Sequence, residues 1–157
     1  MEHRFDLLKN QGSAKSLRHL VAAGKATLES TVPPETQELV RIRVSQINSC
    51  AFCTDMHIKE ALHAGEDAQR LHLVSVWRDA NVFTEAERAA LELAEQGTRI
   101  ADAAGGITDD AWANAAKHYD EEQLAALAAL IAVMNAFNRM NVIAGNPGGD
   151  YQVGQFR

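Results

Sequence analysis

Residues 38–61 read Glu38-Leu39-Val40-Arg41-Ile42-Arg43-Val44-Ser45-Gln46-Ile47-Asn48-Ser49-Cys50-Ala51-Phe52-Cys53-Thr54-Asp55-Met56-His57-Ile58-Lys59-Glu60-Ala61. Pro33-Pro34 precedes the stretch, and proline suits the entry to a helix. From Glu35 to about Ile47, Leu39 with Ile42 and Val40 with Val44 and Ile47 recur at helical steps. The β-branched content permits a strand there, but the helical steps fit better. A second helix is expected from about Ser49 to Ala64, stopped by Gly65. On it, Cys50, Cys53 and His57 are three and four positions apart and share a face.

The chemistry of that face follows from its residue types. Two thiols one turn apart can close into a disulfide. His57, one turn beyond Cys53, is placed to accept the proton of that thiol. The thiolate is the reactive form, and a base or a helix N-terminus can lower a cysteine pKa from about 8.5 to between roughly 3.5 and 7.5. Cys50, nearest the helix start, feels the dipole most. Glu38 enters through geometry: in a tight antiparallel hairpin about Asn48, Glu38 and His57 both lie about 14 Å from the turn at roughly 1.5 Å per residue, and so meet. A carboxylate there would orient the imidazole behind the nucleophile. Without the hairpin, Glu38 reads as a solvated first-turn carboxylate.

Outward from this segment, helical punctuation continues. Helices are expected over Ser13–Ser30, from Asp67 to about Ala80, from the capping box Thr84-Glu85-Ala86-Glu87 to about Ile100, from Thr108 to Tyr119, and from Asp120 to about Ile143. Gly105-Gly106 is a loop, and the glycine-rich stretch 145–157 an irregular tail. The fold class is therefore all-α: one domain over residues 1–157, a helical bundle of about six to seven helices with a redox core over about 35–100. No Gly-rich phosphate loop is present.

Composition narrows the function. The chain has 157 residues, 46% apolar and 23% charged, with a net charge of -6, the balance of an ordinary globular domain. No basic stripe offers itself to nucleic acid. Met1-Glu2-His3-Arg4-Phe5-Asp6 lacks the apolar core of a signal peptide, and a cytoplasmic location is expected. The uncharged apolar run Leu124–Asn138 is shorter than the roughly 20 residues of a bilayer span and reads as a buried helix, covered in part by a neighbouring subunit. Two cysteines make no disulfide framework; a lone Cys-x-x-Cys in such a chain points to redox or metal chemistry.

Glu38, Cys50-x-x-Cys53-x-x-x-His57 and their surroundings resemble the AhpD-like alkylhydroperoxidases of the carboxymuconolactone decarboxylase superfamily. Leu39–Asn48, Asp55–Ala61, Trp77-Arg78, Phe83-Thr84-Glu85 and Asn135-Ala136-Phe137-Asn138-Arg139 carry the likeness, which runs from about Arg4 to Val142. The resemblance implies homo-oligomers, trimers or hexamers, formed through apolar helix faces. It also implies a peroxidase of organic hydroperoxides or hydrogen peroxide in which Glu38 and His57 relay protons while Cys50 and Cys53 cycle between dithiol and disulfide. No cofactor or metal is expected. The partners would be a peroxide and a dithiol or dithiol protein, with a peroxiredoxin as one candidate, and neither nucleic acid nor a membrane is expected. Phe52 stands where some members carry a histidine, and Phe137 where a tryptophan is familiar. Lactone-decarboxylating members lack this cysteine pair. Cys53 is expected to attack and Cys50 to resolve, although the helix dipole argues for the reverse.

Other readings stay open at this level. The pair can serve a disulfide reductase that passes electrons to a peroxiredoxin. Cys50, Cys53 and His57 can supply three zinc ligands, although His63 points elsewhere and no second ligand pair is evident. The thiols can also be buried and inert in a non-catalytic oligomer. Asn135, Asn138 and Asn141 form a polar stripe suited to buried hydrogen bonds, with lining of the site as a second role. His19, His72 and His118 read as surface or interface residues, Trp77 and Trp112 as core or interface anchors.

Overall fold

Pro33 and Pro34 launch the helix around which the others pack. In the computed structural model, which describes residues 3–103 and 105–156, the order is α1 (Gln11–Leu28), α2 (Pro34–Ile47), α3 (Ala51–His63), α4 (Ala68–Leu73), a 3₁₀ helix (Val74–Asp79), α5 (Glu85–Thr98), α6 (Asp109–Ala115) and α7 (Glu121–Ala144). There is no strand among the described residues. Met1, Glu2, Ala104 and Arg157, which the expected domain includes, lie outside them.

α2 packs against α3, α5 and α7, and its sequence shows why. Val40 and Val44 join one core cluster with Leu93 of α5 and Leu127, Leu130 and Met134 of α7. Leu39 and Ile42 join another with Leu71, Val74, Trp77 and Leu91. A helix apolar at both phases is a helix buried on both sides. Each such leucine or valine contributes roughly 1.5–3 kcal/mol by leaving water. Both cysteines sit in the first cluster.

Local chemistry sets the helix ends. Thr84 with Glu87 and Asp120 with Gln123 form reciprocal capping boxes. Two expected helices are shorter than anticipated. The one expected over Asp67–Ala80 breaks after α4 into the 3₁₀ turn, with Val76 at φ -123° and ψ 28°. The break turns Trp77 into the core, and the Arg88 guanidinium satisfies the carbonyls of Trp77 and Ala80 at 2.9 and 3.0 Å. α6 stops at Ala115, and Tyr119 beyond it is buried with its hydroxyl donating to the Ala86 carbonyl at 2.8 Å.

α7 exceeds the uncharged run that announced it, because Arg139 does not end the helix. Its 24 residues and mean hydropathy of 1.4 meet the length and composition of a membrane span, a test that core helices also pass. Here it packs on α1, α2, α3 and α5 and buries Asn138 completely. Within the run Leu124–Asn138, expected to be buried on several sides, the strip Ala125, Ala128, Ala129 and Ala132 is exposed in the single chain, as are Val142 and Ile143 beyond it. Trp112 is exposed as well and is no core anchor of this chain, whereas Trp77 is one.

Beyond Gly145 the described residues of the tail form no helix and cross α3. Asp55 accepts the Gly149 and Tyr151 N–H groups at 2.8 and 3.3 Å. Lys59 donates to their carbonyls at 2.8 and 3.0 Å. Phe52 meets Tyr151 and Phe156 edge-on, with ring centroids 6.4 and 6.2 Å apart. Gly148 presses so close to α3 that a Cβ there would fall 2.6 Å from the Ala51 carbonyl oxygen. Gly148→Ala is therefore expected to lift the tail, costing about 1–3 kcal/mol of stability as overpacking does. Urea unfolding and limited proteolysis of the tail would check this; unchanged midpoints and cleavage would contradict it.

Candidate active site

The reversal between α2 and α3 positions the site. Ser49 adopts a left-handed φ of 54°. The Cys50 N–H donates to the Ser45 carbonyl at 2.9 Å and the Ser49 N–H to that of Gln46 at 3.1 Å. This is a Schellman turn with serine where glycine is usual. It places Cys50 outside the helix, in extended conformation (φ -85°, ψ 93°), as the N-cap of α3. The expectation that α3 begins near Ser49, with Cys50 inside it, is corrected: the left-handed turn delays the helix until Ala51. The Cys50 sulfur accepts the Cys53 backbone N–H at 3.4 Å. Thus Cys50 occupies the positive end of α3 and uses an amide that would otherwise lack a partner.

The hairpin also brings Glu38 to His57. The Glu38 carboxylate lies 2.9 Å from His57 Nδ1, and its other oxygen accepts from Arg41 at 2.6 Å. Arg41, itself buried, also donates to Gln37 at 3.1 Å, and Gln37 donates to the Val32 carbonyl at 2.9 Å. Burial opposes the Glu38 charge, but the hydrogen bonds and charges of His57 and Arg41 outweigh it and hold the carboxyl below its ordinary range. An ionised Glu38 can only accept, so Nδ1 carries a proton; in the neutral imidazole Nε2 then has the free lone pair of a base. Nε2 is buried and has no hydrogen-bond partner among the described atoms.

The two thiols differ. The Cys53 thiol donates to Cys50, and the Cys53 amide and the Asn138 side chain also favour the Cys50 thiolate; despite burial, its pKa is lowered. Cys53 is pushed up, first by that donated hydrogen bond, then by burial and by the charge of Cys50. Cys50, itself buried, borders an open depression of about 620 Å³ with Gln46, Ala51, Thr54, Gly148 and Gly149. Cys53 is equally buried, and Asn141 donates to its sulfur at 3.5 Å. Geometry and charge therefore favour Cys50 as the first thiolate, opposite to the order expected from the proximity of His57 to Cys53.

The asparagine stripe of α7 holds this arrangement. Asn48 donates to the side-chain oxygens of Asn135 and Asn138, both at 3.0 Å, and Asn138 donates to Ser45 at 3.1 Å. Asn141 donates to the Phe137 carbonyl at 3.0 Å and accepts from Asn146 at 2.8 Å. The stripe thus satisfies buried groups and also reaches the cysteines. Glu38, Cys50, Cys53 and His57 all lie on the α2–α3 hairpin, as spacing anticipated. Sequence reasoning missed Arg41, although its i, i+3 spacing from Glu38 is a legible signal. It also missed Asn146 and the tail, which carry none. His19, His63, His72 and His118 are exposed. Among the described residues, no group of three His, Cys, Asp or Glu side chains is arranged to hold a metal ion.

A sequence profile of the Carboxymuconolactone decarboxylase family matches residues 2–96, and the chain belongs to that family. It is 39% identical over 122 residues to the uncharacterized protein YdfG of Bacillus subtilis (strain 168), covering 78% of this chain and 82% of that protein. The fold is AhpD-like. A protein of unknown function from Agrobacterium tumefaciens, provisionally described as an antioxidant defence protein AhpD, superposes with a TM-score of 0.88 at 32% identity, covering 96% of this chain and all of that one. The debrominase Bmp8 shares the fold, with a TM-score of 0.75 at 21% identity, over 92% of this chain and 75% of that one. The fold thus carries more than one kind of enzyme chemistry.

The depressed Glu38 pKa has a consequence for stability. Its stabilising contribution is complete above the unfolded carboxylate pKa of about 4.3 and is lost as pH falls through the lower folded value. Glu38→Gln is expected to lower stability near pH 7 by about 1.5–3 kcal/mol, the range for hydrogen bonds to charged groups. That deficit should shrink on acidification. Urea unfolding from neutral to acid pH checks it; a deficit independent of pH would show that the carboxylate charge is not what stabilises.

Proposed function

We propose that this chain is a thiol peroxidase that reduces hydroperoxides through a Cys50–Cys53 dithiol/disulfide cycle. The observation that carries the reading is the Cys50 sulfur. It caps α3, receives hydrogen bonds, has a second thiol beside it and belongs to a residue that borders a depression. The Cys50 thiolate attacks the terminal oxygen of ROOH. An S–O bond forms, the O–O bond breaks, and the alkoxide leaves as ROH after taking a proton. Cys53 then gives up its proton, with His57 Nε2 as acceptor and Glu38 holding Nδ1–H. The Cys53 sulfur attacks the sulfenic sulfur of Cys50, the S–O bond breaks, and hydroxide leaves as water with the proton from His57. An external dithiol restores the pair by exchange and is itself oxidised.

A second reading has support in the same opening. Its breadth of about 620 Å³ would admit a partner's disulfide to Cys50, so the pair would pass electrons to another protein. Peroxide then separates the two. Reduced protein freed of reductant and given a small excess of organic hydroperoxide should lose two thiols per chain without intermolecular crosslinks. Cys53→Ser should leave a trappable sulfenic acid on Cys50, and Cys50→Ser should remove rapid peroxide consumption. Loss no faster than that of a small free thiol would sink the peroxidase reading and leave the relay. A sulfenic acid found only on Cys53 would reverse the order of attack.

A further inference from the structure

The Cys53 sulfur has an amide donor whose orientation is fixed from two sides. Asn141 lies 88 residues beyond Cys53, and its side-chain NH₂ reaches both the Phe137 carbonyl at 3.0 Å and the Cys53 sulfur at 3.5 Å. The carbonyl can only accept, so it holds the NH₂ on its side of the amide. The oxygen is claimed by Asn146, whose Nδ2 donates to it at 2.8 Å. Asn146 is brought back by a second Schellman turn. Gly145 takes a φ of 76°, and the Asn146 N–H donates to the Asn141 carbonyl at 3.0 Å. Asn141 is buried, so its donor is not spent on water.

From this geometry we infer that Asn141 is a catalytic hydrogen-bond donor to Cys53, stabilising the negative charge that its sulfur carries in two steps, and that Asn146 is the residue positioning it. The inference rests on the cycle proposed above, with Cys50 as the outer sulfur. In the oxidative step, charge develops on Cys53 as it loses its proton and attacks the Cys50 sulfenic acid. In the reductive step, a donor thiolate attacks the Cys50 sulfur and forms a mixed disulfide. The Cys50–Cys53 bond breaks, and Cys53 leaves with the electron pair. The donor's second thiolate then attacks the mixed disulfide, releasing Cys50 and oxidising the donor to its own disulfide. Leaving-group stability governs such exchange. A preset donor at the leaving sulfur works as an oxyanion-hole donor does at oxygen, with no reorganisation when charge appears. Asn138 adds a second amide near both sulfurs. Among titratable groups, Cys50 acts on Cys53 directly, and His57 lies one helical turn beyond it.

The test reads thiol chemistry before peroxide turnover, so that its failure is separate from failure of the peroxidase reading. In a Cys50→Ser background, the pH dependence of Cys53 alkylation by iodoacetamide is compared with and without Asn141→Leu, Asn141→Asp and Asn146→Ala. Circular dichroism confirms that each variant is folded. Loss of the donor in Asn141→Leu should slow alkylation below the thiol pKa by about tenfold, the factor of one pKa unit. The carboxylate of Asn141→Asp should slow it further. Asn146→Ala, at a half-buried tail position that spares the core, should move the profile in the same direction by less. In the chain with both cysteines, Asn141→Leu should also prolong the Cys50 sulfenic acid after oxidation. An alkylation profile unchanged in folded Asn141→Asp and Asn146→Ala would overturn the inference, whatever the oxidant proves to be. A shifted profile in a protein inert to peroxide would keep the donor role and transfer it to disulfide exchange.

Discussion

The left-handed turn at Ser49 is the constraint on which the site depends. Helix α2 must end and reverse within three residues for α3 to lie antiparallel beside it. The Schellman bonds from Cys50 and Ser49 back to Ser45 and Gln46 do this. Because the turn ends on Cys50, this residue becomes a cap rather than a helical position, and its sulfur faces the N–H of Cys53. Because the helices run back to back, Glu38 meets His57 at the far end of the same hairpin. One backbone reversal thus sets both the cysteine end and the carboxylate–imidazole end of the arrangement.

Around that hairpin, the buried side-chain polar atoms among the described residues are paired, with His57 Nε2 as the exception. Ser45, Asn48 and the asparagines of α7 form a connected set that leaves the amide donors of Asn138 and Asn141 close to sulfur. Arg41 and Gln37 do the same for Glu38 and keep an ionised carboxylate in a mostly buried place. One set surrounds the Glu38–His57 pair and the other the two sulfurs. The described residues of the tail wall the opening and contribute no charged group to either.

Much of this was legible in the sequence, for identifiable reasons. Prolines 33 and 34, Gly65 and the two capping boxes mark helix ends through local backbone chemistry, so α2, α3, α5 and α7 could be placed. The meeting of Glu38 with His57 followed from counting residues on either side of Asn48. The kink at Val76 was not legible, because it answers to the packing of Trp77 and the grip of Arg88 rather than to a breaker residue. The N-cap position of Cys50 was hidden because serine, not glycine, takes the left-handed turn. The order of attack proposed for the two cysteines differs from the one expected in the sequence for a related reason. The expectation weighed proximity along the helix to His57, whereas the proposal weighs a capping amide and contacts from α7.

The two halves of the site differ in how far apart along the chain their partners lie. Glu38 and His57 are 19 residues apart, while Asn141 and Cys53 are separated by 88. Contacts of short sequence separation form with little loop-closure cost, and distant ones wait for the chain between them to organise. The carboxylate–imidazole pair therefore belongs to a segment able to assemble by itself. The capping contact of the Cys53 N–H with the Cys50 sulfur is as local as that pair, whereas Asn141 reaches the Cys53 sulfur only with α7 in place. The surroundings of the two thiols are thus begun by one hairpin and completed from the opposite end of the chain.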